Sequence, residues 1–160
     1  MDMATWEKWG GSASNSATGF SGTDYDFVCH STGYISKATV QNKQVLILND
    51  MPMDTGIVEN AEFGSNIIRI MDGDIDDSER FLSNHATQTF NPKNQVDEEL
   101  IEEFIVDTGD LVLVESTARV ASFNKGDCLG FKLDSGVYAI KTYDYANDVV
   151  RVIVHRLLPS

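Results

Sequence analysis

Basic residues are scarce in this chain: 12 Lys and Arg stand against 25 Asp and Glu, giving a formal charge of −13. Tight binding to phosphate backbones draws on clustered Lys and Arg that release counterions, so nucleic acid is not an expected partner. The same charge opposes docking on an anionic membrane surface. No run of about 18 apolar residues is present to span a bilayer, and the start Met1-Asp2-Met3-Ala4-Thr5-Trp6-Glu7-Lys8 lacks a basic stretch followed by an apolar one. The expectation is a soluble protein made and retained in a cytosol. Cysteine is nearly missing too. Cys29 and Cys128 lie about a hundred residues apart, too few for the disulfide framework of a small secreted domain, and each sits in an apolar run as a reduced core residue would. If residues 25–30 form a strand, His30 faces away from Cys29 and cannot activate it.

The linear signatures of common enzymes are missing as well. There is no Gly-x-Ser-x-Gly elbow, no Gly-rich phosphate loop ahead of a helix and no His-Glu-x-x-His. His30, His85 and His155 are not at metal-ligand spacing. Asp72, Asp74 and Asp76 alternate as at the start of an EF-hand loop. That loop, however, wants Gly at its sixth position and Glu at its twelfth, where this chain has Asp77 and Ser83. These three carboxylates are the one candidate metal site, set against the plainer reading of a solvated acidic loop. The expectation is a protein without cofactor or catalytic centre.

What is present begins with an unusual N-terminus. Residues 10–22, Gly-Gly-Ser-Ala-Ser-Asn-Ser-Ala-Thr-Gly-Phe-Ser-Gly, have almost nothing to bury and cannot recover the entropy of their own ordering. Ahead of them Trp6 and Trp9 are three residues apart, one face of a helical turn. Residues 1–23 therefore read as an extended docking arm. Trp6, Trp9 and Phe20 are its candidate anchors, since a few buried aromatic groups dominate binding energy. The competing reading folds both tryptophans back into the chain's own core.

From Asp24 to Ser160 the chain reads as a single β-rich domain. Short runs rich in Val, Ile, Phe and Tyr span residues 25–30, 34–40, 44–49, 66–71, 110–115, 118–123, 128–133, 137–143 and 149–157. Asn124-Lys125-Gly126-Asp127, Asp134-Ser135-Gly136 and Asp144-Tyr145-Ala146-Asn147-Asp148 supply turn chemistry between the later runs, so residues 110–158 suggest an antiparallel meander. The last run is apolar on both alternating faces, as in a covered sheet. Leu100, Ile101, Phe104 and Ile105 recur at helical spacing with carboxylates opposite, which predicts one short amphipathic helix within residues 94–105. Residues 51–64 and 72–93 read as long loops. The fold class is mainly β, an antiparallel barrel or sandwich.

Thr108-Gly109-Asp110-Leu111-Val112-Leu113-Val114, followed by residues 121–131 and by Gly136-Val137-Tyr138-Ala139-Ile140, resembles the small capsid decoration proteins of tailed bacteriophages, β-barrel proteins in which a Gly-Asp pair opens a strand and a Gly-tipped hairpin follows. The resemblance covers about the last fifty residues. It implies a structural virion protein, assembled in the host cytoplasm, that sits on the outer face of an icosahedral head. There it would clamp the major capsid protein without covalent chemistry and contact other copies of itself. Symmetric repetition would multiply modest interfaces. Two alternatives stand beside it: a head-to-tail connector or tail component, and a carbohydrate-binding module stacking sugars on Tyr138, Tyr143 and Tyr145.

Overall fold

A computed structural model describes residues 1–60, 64–73, 95–114 and 128–160. The described chain is mainly β, with antiparallel sheets and two short helices, α1 (Met3–Trp6) and α2 (Asp24–Cys29). Among the described residues the sheets are open, and none closes into a barrel. The chain divides into two compact units, residues 1–49 with 105–136 and residues 50–104 with 137–160. The division does not fall after residue 23: the N-terminal segment belongs to the first unit.

In the first unit β1 (Ile35–Val40) pairs antiparallel with β2 (Lys43–Leu48), from Ile35 opposite Leu48 to Val40 opposite Lys43. Gln41 and Asn42 close this hairpin with φ of 48° and 67°, the double positive φ that matches the twist of the flanking strands. Alternation turns Ala38, Val40, Val45 and Ile47 to one face, where they bury Trp6 and Trp9. Lys37 and Thr39, on the other face of β1, are exposed. A second pair, β6 (Asp110–Val114) with β7 (Cys128–Lys132), supplies Val112 and Val114 to the same cluster.

The second unit is one five-stranded sheet in the order β3 (Asp54–Asn60), β4 (Gly64–Gly73), β9 (Val150–Pro159), β8 (Gly136–Ala146), β5 (Gln95–Val106). The last two residues of β5, Ile105 and Val106, fall in the first unit. The central strand β9 pairs with both neighbours over most of its length. On one face Ile68, Ile70, Tyr145, Val150, Val152 and Val154 form the apolar cluster. The other face of β9 carries Ile153 and His155, both wholly buried, so the apolar character read on both faces of this strand corresponds to burial on both.

Several expectations need correction. The segment read as an amphipathic helix is β5. Leu100, Ile101, Phe104 and Ile105 satisfy a helical period, but pairing with β8 prevails, and the end of the strand alternates, with Phe104 and Val106 buried and Ile105 exposed. Conversely, residues 25–30 are not a strand. Thr23 caps α2, its hydroxyl accepting from the Asp26 N–H at 3.0 Å while the Asp26 carboxylate accepts from the Thr23 N–H at 2.9 Å, a reciprocal capping box. Residues 54–60, read as loop, form β3. Residues 110–158 are not one meander: β6 pairs with β7 and β8 with β9, in different units. Asp134 and Ser135 carry the chain from β7 to β8 rather than closing a hairpin. The expected strand 118–123 and the turn 124–127 lie outside the described residues.

Candidate functional site

The N-terminal segment is held by three sets of contacts within its own unit. At its start, the Val112 N–H donates to the Met1 carbonyl at 2.8 Å, and Asp2 bridges to Leu111 antiparallel, so the chain begins alongside β6. Next come the tryptophans: Trp6 is 0% exposed and Trp9 4%. The third set centres on Asp24, a wholly buried carboxylate at the start of α2. It accepts from the Gly10 N–H at 2.7 Å, the Ser16 hydroxyl at 2.7 Å and the Ala17 N–H at 2.8 Å. The Ser16 and Thr18 hydroxyls lie 2.6 Å apart and extend the network. One carboxylate thus helps order a Ser- and Gly-rich stretch that has few apolar side chains to do so, because charge-assisted hydrogen bonds in a dry setting are strong.

This placement changes the status of the three anchors. Trp6 and Trp9 are core residues of the first unit and are not presented to a partner in this fold, so the picture of a free arm is corrected to a strap fastened on its own unit. Phe20 is different. It lies half-buried at the surface beside α2, its ring edge-on to Phe27 at 5.7 Å between centroids and tilted against His30 at 5.1 Å. His30 is fixed by a 2.7 Å hydrogen bond from its Nδ1 to the Asp26 carbonyl. Tyr25 of the same helix is 38% exposed. The result is a small aromatic surface on a capped helical turn, suited to non-covalent contact. Cys29, expected in a core, is exposed on this helix, and Cys128 is half-buried at the start of β7; both are free thiols.

The remaining candidates are scattered. Asp72 lies in β4, whereas Asp74 and Asp76 lie outside the described residues, as does His85. Among the described residues no three His, Cys, Asp or Glu side chains converge as a metal site requires. Of the tyrosines offered for sugar stacking, Tyr138 is 5% and Tyr145 8% exposed. Tyr143 is half-buried with the Arg156 guanidinium 5.9 Å from its ring centroid. A sugar ring finds no open platform on Tyr138 or Tyr145.

Charge is arranged differently in the two units. Lys43 and Asp107 form an exposed pair in the first. In the second, Arg151 reaches Asp144 at 2.6 Å, and Asp144 is 1% exposed. Burial pushes the Arg69 guanidinium of β4 down to about 10; it donates to the Asp50 carbonyl. His155 Nδ1 lies 2.9 Å from the Thr142 hydroxyl. Neither Asp24 nor Arg69 was singled out from sequence, and His155 was weighed there only as a metal ligand. The Thr23-x-x-Asp26 pattern could have signalled the helix that carries Asp24.

Gly109 illustrates why the strand-opening Gly-Asp pair has its glycine. A Cβ there would stand 2.7 Å from the Leu133 carbonyl oxygen, a backbone atom that cannot swing aside. The close approach is itself a ladder contact, since the Leu133 N–H donates to the Gly109 carbonyl at 2.9 Å. No protein-family model matches the chain, and neither the curated proteins nor the solved structures contain a match to it.

Proposed function

We propose that this chain is a structural virion protein of a tailed bacteriophage, decorating and stabilising an icosahedral capsid by non-covalent binding to major capsid subunits. The observation that carries the reading is the strand pair β6–β7. Its opening Gly109-Asp110 is the core of the resemblance to decoration proteins, and its β6 edge receives the N-terminal strap. In this reading the strap is a preformed part of the docking unit rather than a tether, and the contact falls on the aromatic surface that Phe20 of the strap builds with Phe27 and His30 of the α2 segment. Binding through a preordered surface avoids the entropy that a free arm would lose on docking.

The test is co-sedimentation of the full-length protein and its Phe20→Ala variant with mature, protein-depleted shells from the same source. Saturable binding of the unaltered protein, weakened about tenfold or more by Phe20→Ala, supports the reading, because central aromatic contacts are worth about 1–2 kcal/mol or more. Absence of binding by the unaltered protein removes it.

A further inference from the structure

His155 is unlike the other histidine among the described residues. His30 is exposed at the end of α2, whereas His155 sits in the middle of the central strand β9, wholly buried, flanked across the ladder by Ile67 of β4 and Thr142 of β8. Its Nδ1 is bonded to the Thr142 hydroxyl, itself 0% exposed, and its Nε2 is buried without a hydrogen-bond partner among the described residues. Charged groups share this face of the sheet. Two residues along β4 stands the buried Arg69, two along β8 the buried Asp144, and Arg151 of β9 already pairs with Asp144. Opposite the ring stand Ile67 on β4 and Thr142 on β8, neither a carboxylate, and the charge of Arg69, whose guanidinium donates to the Asp50 carbonyl, has the wrong sign for an imidazolium.

We infer that the Thr142–His155 pair is an acid-sensitive latch, in which a proton added to the His155 ring releases β9 from β8 and opens the five-stranded sheet while the first unit stays folded. A neutral imidazole can remain here with a single hydrogen bond. A protonated ring would be a buried cation with one donor unsatisfied and a guanidinium as neighbour, a combination that is costly unless water enters. Burial, followed by the Arg69 charge, pushes the ring from its ordinary 6.5 down to about 3. The unfolded sheet therefore takes up the proton first as pH falls. Stability from this group is complete above pH 6.5 and drains away toward pH 3. In the first unit burial pushes the Met1 ammonium down to about 6, so its contribution is lost mainly between pH 8 and pH 6, whereas Asp2 and Asp26 respond lower down: against the burial of Asp2, hydrogen bonds from Thr5 hold its carboxyl below the usual 3.8, and those from Thr23 do the same for Asp26, so their contributions persist until pH falls past that value. The interval between about pH 6 and pH 4 thus separates the two units.

The experiment is amide exchange of the full chain, corrected for intrinsic rates, at pH 6 and pH 4.5, together with a titration of ring-labelled histidine by NMR. The opening constant of the β8 and β9 amides is expected to rise about 20-fold between the two pH values, as the shift of His155 requires. Amides of β1 and β2 should change less than about threefold. In His155→Asn, which keeps a polar atom for Thr142 but cannot titrate, the pH dependence should vanish. If that variant does not fold, the unaltered protein decides: one ring should stay neutral until the sheet opens. A β9 ring titrating near 6.5 with its amides still protected, or equal opening of β8–β9 at both pH values, overturns the proposal.

Discussion

The two units of this chain are stabilised by different means. The first assembles two short strand pairs around two tryptophans and ties an otherwise unfoldable Ser- and Gly-rich segment to one buried carboxylate. The second is one continuous sheet whose central strand is covered on both faces, with polar groups enclosed between apolar rows. In the first, order depends on a few irreplaceable side chains. In the second it is spread along ladders, and the vulnerable points are the buried polar groups. A segment with nothing to bury can still be ordered if a charged acceptor gathers its N–H groups and a neighbour supplies the apolar anchors.

The largest effect that sharpens this contrast is expected from Trp6→Ala, which empties the centre of the first unit and should cost about 3–5 kcal/mol. Urea unfolding followed at β1–β2 amides should show the loss, with β8–β9 amides unaffected. The same reasoning predicts that removing residues 1–23 leaves the first unit unfolded rather than a trimmed domain. In the second unit, Arg151→Met strands the buried Asp144 carboxylate and should cost on the order of 3 kcal/mol. The parallel change Lys43→Met in the first unit breaks an exposed, solvent-screened pair and should cost far less. A double comparison by chemical denaturation checks both. Asp24→Asn keeps the shape of the hub but loses its charge; a cost of about 1–3 kcal/mol is expected, with faster amide exchange at Gly10 and Ala17. The smallest effect belongs to Thr23→Ala, about 1 kcal/mol for a lost helix cap, read as increased exchange in α2.

Most strands were legible in the sequence because alternation and turn chemistry agreed over β1, β2, β4 and β6 to β9. Residues 95–106 were misread because four apolar side chains fit two periods at once, and only pairing with β8, forty residues away, decides between them. Residues 25–30 were misread in the opposite sense: Tyr25, Phe27 and Val28 favour strands, but the capping box formed by Thr23 and Asp26 starts a helix. For the candidate site, Trp6 and Trp9 were recognised as an apolar anchor, yet whether an anchor docks on a partner or on its own unit depends on long-range contacts with β1, β2 and β6. Asp24 and His155 had no linear signature, since a carboxylate or an imidazole gains its role from being buried among particular donors and charges.

The capsid reading is tested most directly by imaging shells incubated with the full-length protein at a resolution that locates added density. The account predicts added density repeated over the shell lattice, with the Phe20 surface against the major capsid protein. Density confined to a single vertex would indicate a connector, and shells without added density would contradict the account.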